Sequence, residues 1–580
     1  MSKTVNLKID GVNVEVPEGY TILDAAYKAG IKIPTLCYMK DLNAIGACRL
    51  CLVEVEGARS YLAACVTTVS EGMVVNTNTP ALRKSRQKTL ELILSNHRTD
   101  CLSCARNTNC ELQTLCHENN VDMDRFGRSN LEPDIDDSAV HLIRDNSKCI
   151  LCRRCVAACS VNQHVAVIGP TKRGYDTHIG SAFGDPLDAT SCIHCGQCIV
   201  VCPVGALTEK DESEQVWAAL ADPTKHVIAA PAPSVRVQLG ECFGMPIGTN
   251  VHGKLPAALR RMGFDSIFDV DTAADLTIME EGTELLDRIN NGGVLPLITS
   301  CSPGWIKFCE YYFPEFIPNL SSCKSPQQMM GSVSKTYFAE KQGIDPKDIF
   351  VVSIMPCTAK KFEKTRAGQS ASGYPDIDAV LTTRELANMI KRANIIFDKL
   401  PDEDFDPVFG MASGAAHIFG ATGGVMEAAL RTVSEILTGD DAPKIDFSEV
   451  RGTKGIKEAE YDLAGIKVKV AVTSGLENAH QLLTMIKNGE KEYHFIEVMA
   501  CPGGCVNGGG QPIQPSFVTN NLNLRHTRAM GLYNQDAGMQ LRKSIDNPVM
   551  NELYDTYFGK PGSHKAHEIL HTTYVEREIY

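Results

Sequence analysis

The first chemistry legible in this chain lies in the spacing of its cysteines. Cys149, Cys152, Cys155 and Cys159 form C-x₂-C-x₂-C-x₃-C, and Cys192, Cys195, Cys198 and Cys202 repeat it, with Pro203 following. Thiolates are soft ligands suited to iron. In this run three cysteines ligate one 4Fe–4S cluster and the fourth ligates its neighbour, so the duplicated spacing predicts two such clusters. Upstream, Cys37, Cys48, Cys51 and Cys65 place a CxxC between two outlying cysteines. His97 precedes Cys101, Cys104 and Cys110. A lone histidine reads first as a capping or surface residue, but three cysteines close behind it favour a ligand. Cys116 is left over and reads as structural.

The elements that must position these residues are also visible. Val5, Leu7 and Ile9 alternate, Asp10-Gly11 supplies a hairpin turn, and Val12, Val14 and Val16 alternate again. Thr21 then caps a short helix, ILDAAYKA, which Gly30 ends. In that context Cys37–Cys65 resembles the 2Fe–2S site of ferredoxins and of the complex I iron–sulfur subunit. The His97–Cys110 group resembles the His-ligated 4Fe–4S site beside it in complex I and in large hydrogenases. From about residue 210 the runs HVIAAPAP, SIFDV, VLPLITSC, IFVVSIMPC, IDAVLTT, VKVAVTSG and HFIEVMAC alternate with helical patterns. That alternation predicts an α/β domain with mostly parallel sheets. The expected domains are 1–80 (2Fe–2S, β-grasp), 81–135 (His/Cys₃ 4Fe–4S), 136–210 (two-cluster ferredoxin) and 211–580 (α/β), the first three being small α+β ferredoxin-like units. Ligands of open α/β sheets bind beyond the carboxyl ends of strands. Those ends carry Pro233 and Ser234, Cys301, Cys357, and Cys501 with Cys505, a convergence suited to a large metal centre.

Composition bounds the partners. The chain has 580 residues, 43% hydrophobic and 22% charged, the profile of a multi-domain globular protein. A formal charge of −13 argues against nucleic acid. Arg83, Lys84, Arg86 and Lys88 form a local basic row that reads as a solvated helix face rather than a docking patch. The 23 cysteines stand in a long chain whose start, MSKTVNLKID, lacks a signal-peptide core, so they read as metal ligands rather than disulfides. No apolar run is long enough for a membrane span. The expected setting is cytoplasmic, in an anaerobe.

TSCSPGW (Thr299–Trp305), MPCTAKKFE (Met355–Glu363) and EVMACPGGCVNGGGQP (Glu497–Pro512) resemble the three signature segments of iron–iron hydrogenases. TIMEEGTEL, SPQQM, TTRELA, FGATGGVMEAALR and YFGKPGS…AHEILH extend the resemblance over nearly the whole chain. It implies reversible interconversion of protons and H₂ at an H-cluster, a 4Fe–4S cube sharing a cysteine with a two-iron subsite. That subsite carries carbon monoxide, cyanide and a bridging dithiolate amine. Cys357, Cys501 and Cys505 are the implied ligands, with Cys505 bridging. Lys360 and Ser234 are implied to hydrogen-bond cyanide, and Pro233, Gln327, Met355, Phe419 and Met499 to line the pocket. Gly503, Gly504 and Gly508–Gly510 are read as letting backbone approach the cluster. A proton route is implied through Cys301, Glu281, Ser321, Glu284 and Arg288. Glu281, Glu284 and Arg288 share a helix face, which alone reads as a salt-bridge stripe.

One position departs from the family. Where a second cysteine ligating the cube is expected, Ser302 follows Cys301. Three outcomes stand open: Ser302 ligates through oxygen, a harder and less acidic ligand; Cys301 slips into the ligand role; or the site is impaired. Retained cluster binding with altered catalysis is the expectation. Cys323, beside Ser321, is a thiol that could compensate, and Cys242 and Cys309 read as core. A family sensor and a pure electron-transfer subunit are the rivals. No Gly-rich nucleotide fingerprint stands out, so a ferredoxin or a diaphorase-type subunit is the expected electron partner, with a monomer and a larger complex both open.

Overall fold

The alternating valines form the hairpin expected of them in the computed structural model, which describes residues 3–127, 132–438, 446–453, 455–463 and 465–579. Thr4–Ile9 pairs antiparallel with Val12–Pro17 across Asp10 and Gly11, both at positive φ (49° and 86°). Thr21 caps the helix Ile22–Lys28 in a reciprocal box with Asp24. Three further strands, Val74–Asn76, Leu52–Val55 and Leu62–Ala63, complete a five-stranded sheet. Ile22, Leu23, Ala25 and Ala26 pack on Val5, Leu7, Val14 and Val16, and Cys51 and Cys65 sit in the same core.

Thr79 caps the next helix, Pro80–Leu94, with Pro80 at its first turn. The basic row is not a uniform solvated face. Arg86 is buried and donates to the carbonyls of Leu50, Leu52 and Thr77, tying this helix to the 2Fe–2S-type sheet. In the two cysteine runs the backbone repeats along with the spacing. Leu151 and Arg153 have φ of 55° and 60°, and the corresponding His194 and Gly196 have 59° and 66°. Alternating left-handed positions coil each loop back on itself, a conformation unfavourable for non-glycine residues.

The larger C-terminal part contains two four-stranded sheets. Ser266–Ile267, His226–Pro231, Ile349–Met355 and Ala379–Thr382 are parallel throughout. In the second sheet Leu297–Ile298, Phe495–Met499 and Ile466–Ser474 are parallel, while Ile456–Leu463 pairs antiparallel on the edge. That edge strand is missing from the sequence reading because its charged residues (IKEAEYDL) break the apolar runs used to find the others. The runs SIFDV and VLPLITSC yield only two paired residues each. The 22-residue helix Val270–Asn291 is buried along its first half and contributes to the cores of both sheets. Among the described residues no helix is long and apolar enough to cross a membrane.

Candidate active site

None of the 23 cysteines is paired in a disulfide. Cys51 Sγ and Cys65 Sγ lie 3.3 Å apart. A hydrogen bond from Cys37 holds the Cys48 thiol down at about 6, while Cys37 itself is pushed up. His97 is buried, its Nδ1 has no partner, and burial presses the imidazole down to about 4. It therefore stays neutral, the form that ligates metal. A side chain at Gly205 would collide with the Cys104 sulfur.

All eight cysteines of the duplicated runs line one cavity. Burial raises the Cys149 and Cys152 thiols to about 12 and Cys192 to about 11. A bound cation offsets the penalty that burial places on thiolates, so this donor set fits iron–sulfur clusters.

A second cavity opens where the strands of the two C-terminal sheets end. Cys301, Ser302, Cys357, Cys501 and Cys505 line it, together with Pro233, Ser234, Gln327, Met355, Lys360, Phe419 and Met499. The thiols of Cys501 and Cys505 are pushed up by burial and then by neighbouring thiols, Cys505 to about 12. Gln327 Oε1 is buried in this wall without a partner. Buried convergent thiols beside unsatisfied polar atoms suit a metal cluster with polar ligands.

The signature segments owe their composition to local packing. Trp305, fully buried, donates to the Thr299 carbonyl at 3.1 Å, and Thr299 Oγ1 accepts from Val498 N at 3.2 Å. This pins the TSCSPGW turn to the strand Phe495–Met499. Ser302 occupies the N-cap position of the helix Pro303–Tyr312, yet its hydroxyl makes no cap. It accepts instead from Ala500 N at 3.2 Å on the cavity wall. Gly508 and Gly504 line the cavity, but protein backbone explains these glycines. A Cβ at Gly504 would meet Thr422 N, one at Gly508 the Pro356 carbonyl, and one at Gly509 the Cys195 carbonyl. Thr358 Oγ1 donates to His194 O and Gln197 Nε2 to Asn507 O, each at 2.8 Å. These contacts hold the two cavities side by side, and Cys195 lines both.

Lys360 Nζ donates to Ser325 Oγ at 2.7 Å, Glu363 Oε2 at 2.8 Å and Cys301 O at 3.1 Å. Three positioning residues were not assigned from sequence. Glu363 also accepts from Gln327 at 3.1 Å. Gln511 donates to Ser234 Oγ at 3.2 Å. Glu497, fully buried, accepts from Gly423 N and Met426 N and so anchors the turn that carries Phe419. All three stand within or beside the signature segments, which was the available signal. Asp269, Asp271 and His417 cluster behind the wall, but the Arg236 guanidinium lies 2.7 Å from Asp269 and 3.1 Å from Asp271. They form an ion network with Arg236, which follows Ser234 closely in the chain, as His417 precedes Phe419.

The structure brings the implied proton-route residues together. Ser321 Oγ donates to Glu284 Oε2 at 2.8 Å, and Arg288 to Glu284 Oε1 at 2.7 Å. Glu281 is buried between this group and Cys301, and burial lifts its carboxyl to about 8. Cys323 is fully buried beside Glu284, with Sγ 3.8 Å from its carboxylate, and does not line the cavity. Cys309 is core; Cys242 packs half-buried at its margin.

Family models match along the chain: a 2Fe–2S iron–sulfur cluster binding domain over residues 2–80, the NADH-ubiquinone oxidoreductase-G iron–sulfur binding region over 86–125, and a 4Fe–4S dicluster domain over 148–206. The C-terminal domain of the iron only hydrogenase large subunit matches residues 225–509, and the iron hydrogenase small subunit model matches 522–577. The chain is 47% identical to NADP-reducing hydrogenase subunit HndD of Solidesulfovibrio fructosivorans over 99% of both chains. It is 46% identical to iron hydrogenase 1 of Clostridium pasteurianum over 98% of this chain and 99% of that one. A solved apo variant of FeFe-hydrogenase HydA1 from Chlamydomonas reinhardtii superposes with a TM-score of 0.57 at 44% identity, covering 63% of this chain and 99% of that one. Identity of this order along the whole length, with iron–sulfur domains ahead of the large-subunit domain, makes the chain a member of the iron–iron hydrogenase family.

Proposed function

We propose that this chain catalyses 2H⁺ + 2e⁻ ⇌ H₂ at an H-cluster held in the cavity between the two C-terminal sheets. The carrying observation is that Cys357, Cys501, Cys505 and Ser302 reach one buried cavity whose wall includes Cys195 of the adjoining cluster site. Cys357, Cys501 and Cys505 would hold the iron, Cys505 as the bridge, and Ser302 would supply the remaining position through oxygen. When bound, the H-cluster supplies the redox-active iron at which protons and electrons combine.

The chain's own residues bind, shield and move protons around it. Pro233, Met355, Phe419 and Met499 present apolar surface that excludes water. Ser234, Gln327 and Lys360 orient polar groups toward the cavity. Cys301 exchanges a proton with Glu281, and Ser321, Glu284 and Arg288 extend the route outward; transfer needs titratable groups in hydrogen-bond sequence. Cys37, Cys48, Cys51 and Cys65 would hold one 2Fe–2S cluster, and His97 with Cys101, Cys104 and Cys110 and the two cysteine runs would hold three 4Fe–4S clusters, which together would supply the redox centres for electron transfer. Likeness to a named hydrogenase subunit supports a place in a larger complex; a diaphorase-type subunit or a ferredoxin is the proposed electron partner, and the cytoplasm the proposed setting. The test is hydrogen evolution from reduced methyl viologen after maturation with the two-iron subsite. Sustained turnover is expected; no turnover from protein with a loaded subsite overturns the reading.

A further inference from the structure

A guanidinium does not release protons at physiological pH. Arg288 can therefore attract and orient at the outer end of the route, but it cannot hand a proton to water. Glu284 has a second outward neighbour. Its carboxylate accepts from Ser322, the amide at 3.2 Å and the hydroxyl at 3.4 Å. Ser322 Oγ lies 2.8 Å from Nδ1 of His571, whose Nε2 lies 3.1 Å from Glu280 Oε2.

This juxtaposition is built by pairing of distant segments. Thr572 N donates to Ser322 O and Lys324 N to Leu570 O, both at 2.8 Å, with a bridge between Cys323 and His571. Glu280 is fixed in turn by Tyr554 Oη at 2.6 Å and Gly562 N at 2.9 Å. His571 follows the helix His564–Leu570, and the exposed His567 on that helix stands with its ring 4.0 Å from that of His571. The titratable groups around His571 are Glu280 and Glu284 on the 270–291 helix, Cys323 and Tyr554 on the facing segments, and His567 on its own.

We propose that Ser322 and His571 form a proton exit from Glu284 that opens at the surface beside His567. The inference rests on the proton route given above. A hydroxyl both donates and accepts, so Ser322 Oγ takes the proton leaving Glu284 while its own proton passes to His571 Nδ1. Histidine gives up a proton near neutral pH, and Glu280 on the far nitrogen balances the imidazolium while it lasts. The imidazolium then loses a proton to water beside His567, and tautomer exchange at the ring restores the starting imidazole, with no net chemistry beyond proton translocation.

The test uses matured holoenzyme with cluster content verified. His571→Gln keeps a polar group between Ser322 and Glu280 but does not titrate. Hydrogen oxidation, the direction in which protons leave by this route, is expected to fall about tenfold at neutral pH, a part of what positioned proton transfer contributes. The pH profile should change shape, and added imidazole should restore part of the rate. Ser322→Ala, broken in mid-route, should lose a similar amount without imidazole rescue. Unchanged turnover and pH profile in His571→Gln overturns the exit. So does a loss with the wild-type pH shape and no rescue, which marks His571 as a clamp for the C-terminal segment. Failure of the underlying route is separate: there Glu284→Gln itself leaves turnover intact.

Discussion

Glu281→Gln removes one proton-binding site from the interior while keeping the side chain's shape. Glu281 is 2% exposed. Burial, then the nearby Glu284 carboxylate, lifts its carboxyl from 4.5 to about 8, against the lowering effect of Ser321. The folded chain therefore keeps this proton where the unfolded chain loses it. For a raised carboxyl, the stabilisation is complete below the unfolded value and is lost as pH rises through the folded one. The loss runs at about 1.4 kcal/mol per pH unit and reaches about 5 kcal/mol by about pH 8. Glutamine has no such loss. The melting-temperature difference, variant minus wild type, should grow from about pH 5 to about pH 8 and then level off. In matured enzyme, glutamine cannot carry a net proton, and kcat for hydrogen evolution should fall about 10²- to 10⁴-fold. Wild-type evolution should itself decline above about pH 8 as Glu281 empties. Paired melting curves and viologen-linked assays across that range read both effects. A pH-independent melting difference together with full turnover would refute the reasoning.

Two further perturbations follow from particular contacts. Ser302→Cys replaces a hard oxygen by a soft thiolate on the cavity wall, and the midpoint potential of the cube, followed by electron paramagnetic resonance, should shift upward; an unmoved potential would place Ser302 outside the ligand set. Gly509→Ala drives a methyl group into the Cys195 carbonyl. Because the obstacle is backbone, it should cost about 1–3 kcal/mol and lower the iron content of the adjoining cluster site, read by thermal melting and iron analysis.

How much was legible in the sequence depended on how local the governing physics was. The valine alternation and Asp10-Gly11 turn specify the first hairpin unaided, and thiol spacing exposes the cluster loops because ligation geometry is written into C-x₂-C-x₂-C. Strand ends were readable because Cys301, Cys357 and Cys501 follow apolar runs directly. Arg86 was misread because its inward turn depends on carbonyls brought to it by another part of the fold. Glu363, Glu497 and Gln511 escaped assignment for the same reason: each acts through a partner distant in sequence or by burial that no local pattern encodes. The glycines of the third signature were found, but at Gly504, Gly508 and Gly509 close packing on the backbone of Thr422, Pro356 and Cys195 requires them, apart from any approach to a cluster. Ile456–Leu463 was missed because an edge strand alternates charged with buried residues.

One cavity between the two C-terminal sheets is proposed to hold the redox iron, with Ser302 in its ligand set. Diffraction at the iron absorption edge from crystals of the matured protein tests it directly. An anomalous peak is expected in that cavity, bounded by Cys357, Cys501 and Cys505, with ligand density continuing to Ser302 Oγ. An iron-free cavity, or ligand density running to Cys301 Sγ with Ser302 still bound to Ala500 N, would contradict it.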